Sequence, residues 1–400
     1  MIQKRIDQIE VDDLQGLVEN GVREGKSMEY KQQLPGATDA DKKEFLADIS
    51  SFANASGGTV VFGVIEGRDA NGKASGVPES IAGLANVNAD TEVRRLEQMI
   101  RDGLEPRIPG IGLKAIDGFP DGPVIVIQIP QSWAAPHMVA FKSSPRFFSR
   151  TSAGKSPLNV PEIRAAFIQS ESLPQRIREF RSERLGLISA GETPVALYEN
   201  APVIILHLIP ISAFLNPPNL DVAGIMQSNF HFPPLGLSGF SYRLNSDGFV
   251  SFSGGRTSRD FQAAYSQLFR NGIVEGVNAE LVSGNDEGKY FQSVAFEERI
   301  IQTVRHYLDL MRRLQLESSF VVMLSLLGVQ GCFMYTSPRY NFGERHSIEK
   351  RNLILPDILV NEQPTDSASM MRPIFDMVWQ ACGYPRSLNY DEQGNWKPRQ

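Results

Sequence analysis

The fold of the first part of the chain is decided by residues 49–64, which read ISSFANASGGTVVFGV. Upstream, Phe45 continues the spacing of Ile49 and Phe52, a pattern that predicts a helix with one apolar face. The glycine pair in this stretch ends that helix, and residues 59–65 form an apolar run short enough for a buried strand. The stretch therefore predicts a helix that leads directly into a central strand.

Shorter patterns on either side predict the remaining elements of an α+β domain. A short helix is expected at 9–17 and an extended segment at 27–31, and Asp39 or Asp41 is expected to cap the helix described above. Downstream we expect a helix at 90–104, strands at 112–116, 123–129 and 146–151, and a helix beginning near Pro161.

The length of 400 residues is more than one compact core usually holds. The sequence predicts an N-terminal domain at residues 1–170, a helical linker at 171–190 with Pro174 as a break, and a second α+β domain at 191–400. In that second domain we expect a strand at 203–211, a hairpin at 240–252, a long amphipathic helix at 291–314 and a last helix at 373–381.

Composition excludes several classes of protein. A formal net charge of −6, with 42% hydrophobic and 22% charged residues, is globular and not polycationic, so contact with nucleic acid must rest on a local basic patch or on metal ions. Two cysteines, Cys332 and Cys382, are too few for a disulfide framework or a cysteine zinc site and suit a reducing cytoplasm. The uncharged run at 318–335 favours two buried strands over a membrane helix, so no membrane partner is expected.

Four residues have the chemistry for phosphodiester hydrolysis. Glu29 and Lys31 lie one residue apart on a predicted strand, so both side chains leave the same face. A carboxylate there could bind a hard divalent cation, and the ammonium could neutralise charge on a phosphate. Glu24 could approach them across a loop, and Glu66 lies at the end of the predicted buried strand. The same spacing also fits an ordinary surface ion pair.

A nucleic-acid surface is expected on the segment that contains Lys142, Arg146, Phe148 and Arg150. The last three alternate along a strand and would place guanidinium groups beside an aromatic ring on one face. The alternative is a half-buried strand with solvated arginines. A further group is interleaved with acidic residues and is expected to be a solvated helix face: Arg176, Arg178, Arg181 and Arg184.

Histidines give no motif, because they are scattered and form no i, i+4 pair. They are expected to be packing or surface residues: His137, His207, His231, His306 and His346. Arg345 and His346, near Glu344 and Glu349, form a weak candidate for a site in the second domain.

The run EGKSMEYK at residues 24–31, followed by residues 49–64, resembles the Schlafen AlbA-type domain. That family has a glutamate, a second glutamate five residues later in a Glu-Phe-Lys motif, then Phe-Ala-Asn, a glycine pair and an apolar strand. The resemblance extends more loosely over residues 15–170. It implies a mixed sheet with helices for the N-terminal domain.

The resemblance also implies a function. Vertebrate members are endoribonucleases that cut tRNA and rRNA with three carboxylates and divalent metal. Carried over, these carboxylates fall on Glu24, Glu29 and Glu66, with Mg²⁺ or Mn²⁺ as the cofactor. The third is normally aspartate, and Glu66 is a departure that moves the carboxylate by about 1.5 Å; Asp69 is a fallback ligand.

Three functions stay open at this point. The first is a metal-dependent endoribonuclease that acts on tRNA or other structured RNA, with a role in antiphage defence expected from the family. The second is a non-catalytic DNA- or RNA-binding transcriptional regulator, and the third is an interaction module. Microbial relatives that act as regulators often carry an ATPase-like region, but this sequence has no Gly-x-x-x-x-Gly-Lys motif. Since vertebrate relatives pair two such domains, a homodimer or higher homo-oligomer is expected.

Overall fold

The computed structural model of the chain describes residues 4–68, 72–142, 145–152, 154–215, 217–227, 231–253, 261–286, 288–316, 319–336, 346–361 and 366–398. Contacts within the chain divide it into two units, with the division between Gln175 and Arg176. This division falls inside the segment predicted as a helical linker. Both units contain helices and sheets, so the predicted α+β class is confirmed.

The first unit begins with a 3₁₀ turn at Ile6–Gln8 and contains three helices and ten strands among its described residues. The helices are α1 (Val11–Glu19), α2 (Asp39–Ala53) and α3 (Ala89–Gly103), and a fourth, α4 (Val160–Ser189), crosses the division. The strands are β1 (Met28–Lys31), β2 (Gly58–Phe62), β3 (Val64–Arg68), β4 (Ala74–Ile81), β5 (Leu104–Glu105), β6 (Gly112–Phe119), β7 (Gly122–Ile129), β8 (Met138–Val139), β9 (Arg146–Thr151) and β10 (Gly154–Pro157).

The main sheet of this unit is mixed and has the strand order β1-β2-β7-β6. Strands β1 and β2 are parallel, and β2, β7 and β6 are antiparallel to their neighbours. One face carries Val60 and Ile127 and packs against Ile49 of α2 and Leu96 of α3. The other face packs against α1. Strands β10-β9-β8-β5 form a second sheet, and β3 with β4 forms a hairpin.

The connection from α2 to β2 explains why residues 49–64 determine the fold. Helix α2 is capped by Thr38, whose hydroxyl accepts a hydrogen bond from the Asp41 N–H at 3.1 Å. The predicted cap at Asp39 or Asp41 is therefore wrong. At the other end Gly57 has φ +71°, and a Cβ there would lie 2.7 Å from the Ile129 carbonyl oxygen. A Cβ on the next glycine would collide with the ring of Phe52. Only glycines permit this reversal.

The central strand is shorter than predicted. Strand β2 ends at Phe62, because Gly63 has φ +99° and passes so close to Gly83 that a Cβ would lie 2.9 Å from the Gly83 Cα. The chain then leaves the main sheet and forms the hairpin of β3 and β4. Glu66 therefore lies in the middle of β3 and not at the end of the buried strand. Asp69, the fallback ligand, lies outside the described residues.

Helix α4 continues through Pro174, which was expected to break it. Its neighbours Leu173 and Ile177 are both buried, at 3% and 4% exposure. Proline removes one backbone hydrogen bond and crowds the preceding turn, but burial of apolar side chains on both sides outweighs that cost here. The predicted break is therefore corrected to a continuous helix.

The second unit is built on a large antiparallel sheet. Its helices are α5 (Ser212–Leu215), α6 (Val222–Gln227), α7 (Ser293–Arg313) and α8 (Ser367–Ala381). Its strands are β11 (Val203–Pro210), β12 (Ser241–Leu244), β13 (Gly248–Phe252), β14 (Ala264–Phe269), β15 (Val274–Asn278), β16 (Val282–Asn285), β17 (Gly288–Gln292), β18 (Phe320–Leu327), β19 (Phe333–Tyr335), β20 (Leu353–Ile354) and β21 (Ile358–Val360). The sheet order is β12-β13-β14-β15-β11-β18-β20, and β21 also pairs with β18.

The core of this unit covers one face of the large sheet with α7 and α8. The apolar stripe predicted for α7 is fully buried, as shown by Phe296, Ile300 and Met311. On the opposite sheet face, Ile188 of α4 packs with Ile205 of β11. Among the described residues, no helix has both the length and the hydropathy to cross a bilayer.

Candidate functional site

Strand β1 sends alternate side chains to opposite faces of its sheet. Its register pairs Glu29 with Val60 and Tyr30 with Val61 on the parallel strand β2. Val60 belongs to the core beneath α2, whereas Val61 belongs to the core beneath α1. Glu29 and Lys31 therefore both face α2, in agreement with their spacing in the sequence.

The carboxylate of Glu29 is held between two cations. Lys31 Nζ donates a hydrogen bond to Glu29 Oε1 at 2.6 Å, and Arg150 Nη2 donates to Glu29 Oε2. Burial opposes ionisation of this group, but the hydrogen bonds and charges of the two cations outweigh burial and hold the pKa of Glu29 below its usual value. Glu29 is therefore a carboxylate at neutral pH, and both of its oxygens are engaged.

Arg150 is buried, contrary to the expectation that it presents its guanidinium to a nucleic acid. The residue is 6% exposed. Its Nε donates to the Gly25 carbonyl oxygen at 2.9 Å, and its guanidinium carbon lies 4.2 Å from the centroid of the Phe52 ring. The physical reason is the buried carboxylate of Glu29, which requires a cation at this position. Arg150 supports the site from within.

A second buried carboxylate, Asp48 of α2, lies among the same cations and was missed in the sequence. Its Oδ1 is 2.8 Å from Lys155 Nζ and 4.0 Å from Arg150 Nη1, and its Oδ2 is 3.7 Å from Lys31 Nζ. Burial raises the pKa of Asp48, while the charges of the lysines act in the opposite direction. Its position three residues after Phe45, on the apolar stripe of α2, is the signal that could have identified it, since a carboxylate there needs a buried partner.

Glu24 reaches β1 across a tight turn. The Gly25 N–H donates to the Met28 carbonyl oxygen at 3.0 Å and closes the turn. The chain thereby reverses, and Glu24 Oε1 accepts a hydrogen bond from the Tyr30 backbone N–H at 2.6 Å. The loop across Gly25 therefore brings the first glutamate next to the strand that carries the second.

Glu66 enters the same region from the hairpin of β3 and β4. The Glu24 backbone N–H donates to the Gly76 carbonyl oxygen of β4 at 2.7 Å, and Glu66 of β3 pairs with Pro78 of β4. The hairpin register is irregular on both sides of Glu66, between Ile65 and Glu66 and again before Arg68. Such bulges redirect a side chain relative to a regular strand.

The carboxyl group of Glu24 titrates near neutral pH. Burial, followed by the negative charges of Glu29 and Glu66, raises the pKa of Glu24 to about 7, although the Tyr30 N–H and the charge of Lys31 oppose this shift. Charges act over short distances in salt solution, so Glu29 and Glu66 each lie within electrostatic reach of Glu24.

The donor chemistry of these glutamates suits a hard divalent cation, which prefers carboxylate oxygens. Glu29 can join a cation only by sharing oxygens that Lys31 and Arg150 already contact. In the part of the chain that the structure describes, no three His, Cys, Asp or Glu side chains are grouped so as to hold a metal ion.

Asn54 fixes the strands that carry the buried cations. Its Nδ2 donates to the His137 and Phe148 carbonyl oxygens at 2.9 and 2.8 Å, and its Oδ1 accepts from the His137 N–H at 2.7 Å. Asn54 ends α2, a position at which an amide often bonds free carbonyls of its own helix. Instead it joins α2 to β9 two residues before Arg150.

The remaining residues of the predicted nucleic-acid surface lie at different depths. Arg146 is exposed at the start of β9, and Phe148 is half-buried against the core beneath α2. Lys142 is exposed, and its Nζ lies 2.7 Å from Asp39 Oδ2. Arg146 and Lys142 are thus accessible to a polyanion, Phe148 only in part, and Arg150 is enclosed.

The second unit contains its own buried charged network around Glu275 of β15. Arg184 donates to both oxygens at 2.9 Å, the Tyr265 hydroxyl donates to Oε1 at 2.8 Å, and His207 Nε2 lies 3.0 Å from Oε2. Burial opposes ionisation, but the hydrogen bonds of Arg184 and His207 outweigh it and lower the pKa of Glu275 to about 2.

This network corrects the prediction of a solvated arginine face on α4 for Arg181 and Arg184, whereas Arg176 and Arg178 are exposed as expected. Arg184 contacts the fully buried Glu275, and Arg181 is itself buried and donates to the Leu355 carbonyl oxygen at 2.9 Å. Arg178 alone of these three is largely exposed, with its Nε 3.4 Å from Asp357 Oδ2. In the candidate site at residues 344–349, Glu344 and Arg345 lie outside the described residues.

Comparison with known proteins identifies the first unit. The family model described as Schlafen, AlbA_2 matches residues 24–159, about a third of the chain. No curated protein matches the chain.

Two solved structures are similar to part of the chain at low identity. The DIP2311 protein from Corynebacterium diphtheriae is 16% identical with a TM-score of 0.24, over 37% of this chain and 27% of that one. The N-terminal domain of a RecG-related protein from Nitrosomonas europaea is 21% identical with a TM-score of 0.22, over 29% of this chain and 71% of that one. The chain thus spans about a quarter of the first of these proteins.

The matched residues contain the turn at Glu24, the strand at Glu29, the α2–β2 connection and the buried Arg150. They also contain the mixed sheet that the resemblance implied. The family is related to nucleic-acid function. Residues 24–159 of this protein are a Schlafen AlbA_2 domain.

Proposed function

We propose that this domain is a metal-dependent endoribonuclease that cuts tRNA or another structured RNA. The observation that supports the proposal is the position of Glu24, which lies beside β1 and is close enough to Glu29 of that strand and to Glu66 of the hairpin for their charges to act on it. Their charges, together with burial, raise the pKa of Glu24 to about 7. A bound Mg²⁺ or Mn²⁺ ion would relieve this repulsion.

Different side chains of the domain would have different roles in binding a phosphodiester. When bound, a divalent cation supplies an activated water and neutralises phosphate charge. Lys31 has a side chain that is 36% exposed, so its ammonium group can meet a phosphate oxygen while it contacts Glu29. Arg150 and Asp48 hold Glu29 and Lys31 in place from the buried side.

The expected approach of the RNA is over the exposed cations at Arg146 and Lys142. These side chains would contact phosphates, which gives affinity without sequence preference. Phe148 lies two residues after Arg146 and is half-buried, so we propose that its accessible part contacts a base. We also propose that the chain forms a homodimer, which would present two such domains to one structured RNA.

A second function, binding of DNA or RNA without cutting, is favoured by one specific observation. Lys31 and Arg150 engage both oxygens of Glu29, as in a structural ion-pair network. A regulator of this kind would keep the fold and the basic surface and would have no need of a metal ion.

One assay separates the two functions. The full chain is incubated with labelled tRNA, single-stranded DNA and duplex DNA, with Mg²⁺, with Mn²⁺ or with chelator. The informative variants are Glu24→Gln and Glu66→Gln, because an amide keeps the shape of each side chain but removes the charge. Glu29→Gln is a third variant, whose folding must be checked since Arg150 would lose its partner.

Glu79→Gln is the matched control, since Glu79 is exposed on β4 of the same hairpin. Cutting of tRNA that needs metal and is lost in Glu24→Gln and Glu66→Gln, but kept in Glu79→Gln, supports the nuclease. Binding without cutting in every variant supports the regulator. Metal-independent cutting that survives all three glutamate substitutions would reject the proposed site.

A further inference from the structure

Two histidines of the second unit come together from distant parts of the chain. His231 lies in the segment between α6 and β12, and His306 lies on α7. Their ring centroids are 5.1 Å apart, and the ring planes are nearly perpendicular at 86°. His231 is exposed and His306 is half-buried, so the pair lies at the surface, where a solute can reach it.

The separation of the rings suits a shared metal ion. Two imidazole nitrogens bound to one zinc ion at the tetrahedral angle place the ring centroids about 5 Å apart. A metal ion binds the neutral form of an imidazole through the lone pair of a ring nitrogen. Asp309, one turn further along α7, adds negative charge nearby.

We propose that His231 and His306 bind one divalent transition-metal ion of the zinc class. Imidazole is a preferred ligand of Zn²⁺, Ni²⁺ and Cu²⁺, whereas Mg²⁺ and Mn²⁺ prefer oxygen ligands. No third His, Cys, Asp or Glu completes the group among the residues that the structure describes, so the remaining coordination positions of a bound ion would be open to water. The site is therefore open and exchangeable, unlike a structural zinc site with four protein ligands.

Metal binding at this pair would join two segments of the second unit. His231 also packs edge-on against Phe240, with ring centroids 5.7 Å apart, so the segment from His231 to Phe240 is anchored near His306 of α7. A metal ion shared by the two histidines adds a link that the unfolded chain lacks. Bound zinc therefore raises the melting temperature of the protein.

The test is calorimetric titration of the metal-free full chain with Zn²⁺ alone, repeated for His231→Gln and His306→Gln. Each substitution should weaken zinc binding at least about tenfold, because a two-ligand site becomes a one-ligand site. His346→Gln is the matched control, since it removes one exposed histidine outside the pair and should leave the affinity unchanged. Circular dichroism without metal confirms that the variants fold.

Two further readouts make the result decisive. Zinc should raise the melting temperature of the unsubstituted protein but not of either pair variant, and Cu²⁺ bound to the protein should show coupling to two nitrogens in its paramagnetic resonance spectrum. Glu24→Gln should leave this binding intact, so failure of the nuclease proposal would not affect it. Zinc affinity that is equal in both pair variants and the unsubstituted protein, or absent throughout, would show that the rings only pack and would overturn the proposal.

Discussion

Both units bury a glutamate beside an arginine, but the two carboxylates have different surroundings. Glu275 is completely enclosed and receives hydrogen bonds from Arg184, Tyr265 and His207, which hold its pKa near 2. Glu29 is also ionised by its partners, yet one of these, the Lys31 side chain, is 36% exposed.

The difference lies in the neighbouring charges. Around Glu275 every contact is a hydrogen-bond donor and one of them is the cationic Arg184, which is the pattern of a structural ion pair. Beside Glu29 lies Glu24, whose pKa rises to about 7 because of burial and the negative charges of Glu29 and Glu66. Like charges that are held together and reached by solvent indicate a site for a cation or a proton. Burial of a charge does not by itself indicate such a site.

The largest expected effect is at the enclosed network. Arg184→Met would leave the Glu275 carboxylate buried without its bidentate partner and should lower the free energy of unfolding of the second unit by about 3–5 kcal/mol. Urea unfolding followed by circular dichroism measures this change. The control is Arg312→Met, which removes an exposed pair with Asp309 and should cost less than about 1 kcal/mol. Similar losses in both variants would show that the buried ion pair contributes no more to the free energy of unfolding than the exposed pair does.

Arg150→Met should have the next largest effect. It removes one of the two cations from Glu29 but leaves Lys31, so we expect the first unit to lose about 2–3 kcal/mol of stability. The matched control is Arg146→Met on the exposed start of the same strand, which should change stability by less than about 0.5 kcal/mol. Hydrogen exchange of the β1 amides reports the local effect. Protection that is unchanged in Arg150→Met would mean that Glu29 needs no buried cation.

Glu24→Gln should change the pH dependence of stability. The folded pKa of Glu24 is raised to about 7 from 4.5, so its contribution is fully present below about pH 4.5 and is lost as the pH rises through 7. At pH 8 and without divalent metal, the variant should therefore be more stable than the unsubstituted protein by about 1 kcal/mol, after allowance for solvent screening. Thermal unfolding at pH 5 and pH 8 tests this. A difference in stability between the variant and the unsubstituted protein that does not grow with pH would show that the neighbouring glutamates do not repel Glu24.

The smallest effect is expected on the exposed surface. Arg146→Ala should weaken RNA binding by less than about tenfold and reduce the slope of log affinity against log salt by about 1, since one phosphate contact is lost. Titration of labelled tRNA at several salt concentrations measures the slope. Arg101→Ala on α3 is the control and should leave the slope unchanged. Equal salt slopes for the Arg146→Ala and Arg101→Ala variants would show that the RNA does not contact Arg146.

Local patterns explain how much of the fold the sequence predicted. The spacing of Phe45, Ile49 and Phe52 and the glycines that follow predicted α2 and β2 because the cause lies within 20 residues. The early end of β2 was not predictable, since it depends on the approach of Gly83 to Gly63. Turns and apolar stripes are local information, whereas close passage of two backbones is not.

The site was predicted in part for the same reason. Alternation along β1 predicted the common face of Glu29 and Lys31, and the turn at Gly25 allowed Glu24 to approach. The burial of Arg150 was missed because its partner is 121 residues away in the sequence. Alternation placed its side chain on one face of β9 correctly but could not show that this face is covered by α2. Metal binding and the oligomeric state stay predictions.

Gly58 lies so close to the Phe52 ring that this glycine affects the charged site without contacting it. The Phe52 ring occupies the space above Gly58 and carries the guanidinium of Arg150 on its face. A methyl group added at position 58 would push the ring, the ring would tilt the guanidinium, and Glu29 would lose part of its counter-charge. A larger residue in place of Gly58 would therefore raise the pKa of Glu29, because the change passes through the Phe52 ring to the Arg150 guanidinium.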